Sequence, residues 1–263
     1  MKRTKFIILS LLFATLLLSA GCEGEERWRS GENAVRLVSG IEYYWNNNSG
    51  VAPYLTVEFR YDKQNRITEI AVIDEEGVTT RSIISYPAKN NVVISQVGND
   101  MVVNGILNSD GYIASWSEGG QLIGTCSYAN GYLQNRDYLL ESTKISETFT
   151  WKNGNVTTMV RETSYLADPP WKYSSTQIFE YSSIQYKPCS IDFVHSSISG
   201  FYGMYGKSTQ NLPSKVTTQS EFGLLDIVTT YRYETDKRDY PTRIFVQINE
   251  GSEQLTTVIK YEN

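Results

Sequence analysis

Few side chains in this 263-residue chain are of a type that does chemistry. Its one histidine is His195, in Phe193-Val194-His195-Ser196-Ser197. A serine nucleophile needs such a base beside it, so a triad of His195 with Ser196 or a distant serine and an aspartate is one reading. The plainer reading is a solitary polar residue on a connection, because no G-x-S-x-G elbow or H-E-x-x-H run accompanies it. Asp74-Glu75-Glu76 is acidic, but glycoside hydrolysis needs two carboxylates facing one sugar, and consecutive residues at a turn closed by Gly77 point different ways. Oxygen ligands at calcium-loop spacing, a glycine-rich phosphate loop and Cys/His zinc spacing are all missing from the sequence. We therefore expect a non-enzymatic protein with no cofactor, no catalytic residue and no metal site.

Aromatic residues are the one enriched resource. Trp116, Trp151, Trp171 and Tyr173 are candidates for stacking on a sugar ring, which offers both an apolar face and hydroxyls, or for clamping an apolar ligand. Asp168-Pro169-Pro170-Trp171 is the best placed, since the prolines stiffen a loop that presents the indole. The competing reading is cross-strand packing, for which Tyr and Trp are favoured in any all-β protein.

The N-terminus says where the chain resides. Lys2, Arg3 and Lys5 precede an apolar run from Phe6 to Leu18 and then Ser19-Ala20-Gly21-Cys22, the pattern of a secretory signal peptide and too short for a spanning helix. Cys22 after Ala-Gly resembles the lipobox of bacterial lipoproteins, with Ser19 where that family usually has Leu. The resemblance implies cleavage after residue 21, a diacylglycerol on the Cys22 thiol, an acyl group such as palmitate on its amine, and an outer-membrane anchor. Removing residues 1–21 leaves 242 residues and takes the formal charge from −5 to −8. An acidic chain without a basic cluster excludes nucleic acid as a partner. Residues 22–34, opening Cys22-Glu23-Gly24-Glu25-Glu26, read as a solvated tether. Acids just behind the cysteine resemble the surface-export signal of Bacteroidota lipoproteins, which implies display at the cell surface. With Cys22 committed to lipid, Cys126 and Cys189 are either a disulfide pair suited to an oxidising compartment or two unpaired thiols.

Residues 35–263 carry the fold, expected as a single β domain. In Leu55-Thr56-Val57-Glu58-Phe59-Arg60-Tyr61 the apolar residues fall on alternate positions, as they do at Ile244, Val246 and Ile248 and from Leu255 to Tyr261. Ile67 followed by Ile70 and Val72 breaks parity and predicts a bulge near Thr68-Glu69. Asp62 to Asn65, Asp74 to Gly77, Ser109-Asp110-Gly111, Asn130-Gly131 and Asn153-Gly154 separate these runs as turns. An antiparallel meander of hairpins follows, curled into a barrel or half-barrel. Cys189 to Lys207 has spacing nearer to helical, so one short helix or irregular crossover is expected near 190–206.

The hairpins repeat weakly as an aromatic or Leu, a polar turn, then an apolar residue, as in Tyr128-Ala129-Asn130-Gly131-Tyr132-Leu133 and Trp151-Lys152-Asn153-Gly154-Asn155-Val156. These repeats are similar to tyrosine-aspartate repeats. Together with the segment Gly206 to Pro213, the closing hairpin through Tyr240-Pro241 and the lipobox, they resemble a family of gut Bacteroidota lipoproteins of unknown function with a porin-like fold. The resemblance implies a meandering sheet curled toward a barrel and brings no activity. Lys237-Arg238-Asp239 stands where the family often has Asp-Gly, so a different loop conformation is expected there. Strand faces rich in Thr, Ser, Glu and Arg argue for a lipid-tethered barrel outside the bilayer rather than a pore through it. The function expected is binding of an extracellular glycan or partner protein; the alternative is a carrier of an apolar ligand within the curled sheet.

Overall fold

Period-two alternation continues through sixteen strands in the computed structural model, which describes residues 36–44, 52–166, 170–187, 204–221 and 226–262. The first eight are β1 (Val38–Tyr43), β2 (Leu55–Tyr61), β3 (Ile67–Asp74), β4 (Thr79–Ala88), β5 (Asn91–Gln96), β6 (Val102–Leu107), β7 (Ile113–Glu118) and β8 (Gln121–Ala129). The second eight are β9 (Tyr132–Leu140), β10 (Thr143–Lys152), β11 (Asn155–Tyr165), β12 (Trp171–Gln185), β13 (Asn211–Ser220), β14 (Ile227–Thr235), β15 (Pro241–Ile248) and β16 (Gln254–Tyr261). Each strand pairs antiparallel with its sequence neighbours, and β1 pairs with β16 to close the barrel. Of the two shapes expected from sequence, the closed one is found, with no helix among the described residues. The leader, the tether, Cys22, Cys189 and most of the expected helix or crossover (188–203) lie outside the described residues.

The two faces of the sheet differ in chemistry. Ile41, Val57, Phe59, Ile70, Ile84, Val92, Ile94, Val103, Ile113, Phe149, Ile244 and Ile259 share the inward face and are buried in one contiguous cluster. Outward, the same strands carry Glu58, Arg60, Arg81, Asn104, Thr125, Asp137, Glu162, Glu180, Lys215, Arg232, Arg243 and Lys260. A bilayer-spanning barrel needs an outward apolar band, with charge kept from its middle. In this barrel those charged residues are interspersed on the outward face with exposed Ile83, Val102, Ile106, Val160 and Ile178.

Turn chemistry is repeated. Asp62, Asp74, Asn108 and Asp236 each use one side-chain oxygen to accept the backbone N–H groups two and four residues on. The residue three places on then has positive φ: Asn65, Gly77, Gly111 and Asp239. Asp239 at +61° thus takes the place that Gly or Asn fills elsewhere, and the 237–239 loop is the same turn as the others in this chain. Aspartate tolerates the left-handed region because its short polar side chain bonds locally. Asn130-Gly131 and Asn153-Gly154 have positive φ at both residues, as two-residue hairpins demand. The predicted bulge is present, with the register slipping from Arg60↔Glu69 to Tyr61↔Ile67 and leaving Thr68 over.

One recurring bond ties these hairpins into the wall. Near the end of an even-numbered strand, an inward aromatic donates back to a carbonyl at the start of the preceding strand. Tyr61 Oη reaches Val38 O at 2.7 Å, Tyr86 reaches Ile67 O at 3.0 Å, and Tyr128 reaches Ile113 O at 2.8 Å. Trp151 Nε1 reaches Leu133 O at 2.6 Å, Tyr233 reaches Pro213 O at 2.7 Å, and Tyr261 reaches Pro241 O at 2.7 Å. Each contributes about 1 kcal/mol and occupies a carbonyl where the ladder ends. The aromatic of the sequence repeat is therefore structural.

Residues 204–210 run across that same end of the barrel as a strap. Ile113 N–H donates to Met204 O, Lys207 N–H to Gly131 O and Gln210 N–H to Gly154 O, at 2.7, 2.7 and 2.9 Å. Tyr205, on the strap, is inserted under the inward face and fully buried. Higher on the wall, Trp116 of β7 lies flat across Gly124 of β8, where a Cβ would overlap the indole. Gly124→Ala should therefore destabilise the barrel by about 1–3 kcal/mol through overpacking. The expected fall in Tm of several degrees should largely disappear when Gly124→Ala is made in a Trp116→Leu background and compared with that single variant, read by calorimetry.

Candidate functional site

Three charged side chains occupy inward positions on consecutive strands. Arg136 of β9 pairs with Glu147 of β10, which pairs with Arg161 of β11, each directly opposite in register. The Arg136 Nε donates to Glu147 Oε2 at 2.6 Å. Arg161 Nε and Nη2 donate to Glu147 Oε1 at 2.9 and 2.7 Å. Arg136 and Glu147 are fully buried and Arg161 is 20% exposed. Burial by itself would raise the Glu147 pKa, but the two guanidiniums outweigh it and hold the carboxyl below its ordinary value. Beneath Arg136 lies the Tyr205 ring, 4.9 Å from its guanidinium carbon, so the strap and the ion cluster share one packing layer.

Above this cluster, toward the opposite end of the barrel, the inward face becomes aromatic and open. The alternation that points Arg161 inward also points Thr163 and Tyr165 inward, and their partners on β12 are Ser175, Tyr173 and Trp171. Tyr165 and Trp171 stack at 4.0 Å between centroids and 11° between planes. Tyr173 continues the stack at 5.5 Å from Trp171. Trp171 remains 47% exposed, which leaves its indole available to a ligand. Thr163, 3% exposed, has no hydrogen-bond partner for its Oγ1.

Of the aromatic candidates read from sequence, the structure brings Trp171 and Tyr173 together and adds Tyr165. Trp116 is 1% exposed against Gly124 and is a core side chain. Trp151 is half-buried, tilted at 40° against Tyr132 with 4.6 Å between centroids and its N–H donated to Leu133 O. Both pack against neighbouring side chains of the barrel. Cys126 is a free thiol pushed up to about 12 by burial, and so stays protonated at neutral pH. Its suggested partner Cys189 and the solitary His195 lie outside the described residues. The ion cluster was missed from sequence, although Arg136 shares parity with Tyr138, Glu147 with Ile145 and Phe149, and Arg161 with Met159.

A second concavity lies on the outer wall. It holds about 270 Å³ over Gly40 and Ala71, two small residues in register with Glu58. Lys260 and Glu42 pair at its edge, and Glu69 lies 3.4 Å from Arg60 and 3.5 Å from Arg81. Its lining residues form mostly solvated ion pairs without an exposed ring, so it is the weaker of the two sites.

No protein-family model matches the sequence, and no curated relative matches it. The fold does have likenesses. This barrel is similar to porin-like proteins of Bacteroides. A crystal structure of a porin-like protein from Bacteroides vulgatus ATCC 8482 superposes with a TM-score of 0.63 at 16% identity, over 86% of this chain and 99% of that one. Another, from Bacteroides uniformis ATCC 8492, gives 0.59 at 17% identity over 87% and 99%. The shared property is the fold.

The ion cluster sets an expectation for stability. Glu147→Gln should cost about 3–5 kcal/mol at pH 7, because it leaves two guanidiniums without their carboxylate. A carboxyl held below its unfolded value of 4.5 stabilises the fold above that pH, and the contribution fades as pH falls toward the folded pKa. Urea unfolding at pH 7 and at pH 3 should therefore show a smaller gap between wild type and variant at the lower pH.

Proposed function

We propose that this chain is a non-enzymatic envelope protein, held to the outer membrane by lipid on Cys22, that binds a sugar on the Tyr165–Trp171–Tyr173 ladder. One observation carries the reading: the ladder and the point of chain entry lie at opposite ends of the barrel. Arg36 and Val38 enter beside the β2–β3 and β14–β15 turns, with Arg36 bonded to Asp236 and lying over the Tyr261 ring. Residues 165–173 sit at the other end, where β11 gives way to β12. A tether running from Cys22 to Arg36 would then hold the ladder away from the membrane, facing whatever lies beyond it.

The polar outward face supports a barrel outside the bilayer, and the likeness to porin-like proteins of Bacteroides supports an envelope setting. Surface display rests on the acidic residues behind Cys22. The alternative, an acyl-chain carrier, calls for an open apolar lumen. Among the described residues the inward apolar side chains from Ile41 to Ile259 are instead packed against one another.

A glycan array probed with the lipidated protein should give specific signals, and Trp171→Ala should weaken them at least tenfold while leaving Tm within a few degrees. A blank array would sink the sugar reading. Cys22→Ala should lose metabolic palmitate label and leave the membrane fraction; label retained on that variant would sink the anchor.

A further inference from the structure

The end of the barrel that carries the ladder is not open all the way round. Over β1, β2, β6 and β7 its inward side chains are covered, with Tyr43, Leu55, Val103 and Trp116 each exposed by 5% or less. Over β12 and β13 the same face changes character. Going inward along β12, Trp171 and Tyr173 are followed by Ser175 and Gln177, and then by Phe179, which packs on the core. On β13, Ser220 stands opposite Ser175, and Thr218 stands opposite Gln177. These four are half-buried and form a polar shelf below the rings. Met159, on the other side of Gln177, and Val216, one step deeper than Thr218, are buried at 5% and 7%.

The polar groups of the shelf are left unfinished. Among the described residues, the side chains of Ser175, Gln177 and Thr218 make no hydrogen bond within the protein. Thr163, opposite Tyr173 and 3% exposed, has none at its Oγ1 either. A buried hydroxyl in that state is rare unless something outside the chain supplies the bond. The two observations meet at one place, because the next inward residue of β11, Arg161, stands opposite Ser175. Hydroxyls and an amide both donate and accept, which matches the hydroxyls of a sugar.

One ring cannot use both the ladder and the shelf. Trp171 and Ser175 are four residues apart, about 13 Å along the strand. The three rings of the ladder lie within 6.3 Å of one another and make a single platform. A ligand touching both must run from the rim inward, and Met159, Phe179 and Val216 then stop it. We propose that Ser175, Gln177, Thr218 and Thr163 form a second sugar subsite, so that the barrel takes the end of an oligosaccharide, one ring on Trp171 and the terminal residue on the shelf. This rests on the sugar-binding reading above and adds the direction and length of the ligand.

The test is titration calorimetry on the full-length lipidated protein in detergent micelles, with malto-, xylo-, manno- and galacto-oligosaccharides of one to six residues. At least one series should gain tenfold or more in affinity from one residue to three, then stay within twofold up to six. Thr218→Val and Thr163→Val, which keep the shape and remove a hydroxyl, should each take back threefold or more of that gain, as should Gln177→Leu. All three should leave the monosaccharide unchanged, whereas Trp171→Ala should weaken every member. Urea unfolding of each variant identifies any loss that reflects misfolding, and Thr218→Val, at a half-buried position, remains decisive if a deeper change fails to fold. Affinity that is flat from one residue onward, or still rising from three to six, would overturn the proposal while the sugar reading stands. So would a gain that survives all three shelf variants. Binding in no series would remove both.

Discussion

Closing the sheet is the constraint on which everything else here depends. Ile41 meets Ile259 and Tyr43 meets Thr257 across the β1–β16 seam, joining residues more than two hundred positions apart. Closure leaves no unpaired strand edge in the ring, which matters for so long a meander, because an open edge would template pairing with another chain. It also decides which face becomes the inside. Once the ring is shut, the apolar face must fill it, and the polar face must meet whatever lies outside.

The seam is secured by the same device used around the wall. Tyr61 of β2 bonds Val38 O on the strand that opens the barrel, and Tyr261 of β16 bonds Pro241 O on the strand before it. Arg36 adds an ion pair to Asp236 and a ring contact to Tyr261 at the point of entry. The strap 204–210 does comparable work for the hairpins of β6 to β11, bonding successive turns from outside the sheet. All of this reinforcement lies at one end. The opposite end is where the exposed Trp171 ring and the unpaired Thr163 hydroxyl are found.

Buried charge in the barrel has a physical logic of its own. An apolar replacement of similar volume would fill the Arg136–Glu147–Arg161 positions without any desolvation penalty. The cluster instead packs Arg136 over Tyr205 of the strap, beside Tyr138 and Phe149, and brings Arg161 up to the floor beneath the ladder. Its position links the plugged end to the open one. The rings of Tyr138, Phe149 and Tyr205 around Arg136 suit a guanidinium better than an ammonium because its flat face stacks on rings.

Much of the fold was legible locally. Leu55 to Tyr61 declares its alternation, Asn130-Gly131 and Asn153-Gly154 declare their turns, and the parity break after Ile67 declares the Thr68 bulge, because each is written within one hairpin. At Lys237-Arg238-Asp239 the left-handed residue is an aspartate rather than a glycine, which only backbone geometry shows. Trp116 and Trp171 look alike as letters in a strand. One is covered by its neighbour across Gly124 and the other is left open by the end of the barrel, a difference set by what lies across the sheet. The sequence by itself determined the strands, the turns and the alternation of faces. The tertiary structure alone decided closure, the strap, the ion cluster and the ladder, because these join residues on different strands through register and curvature that no single segment encodes.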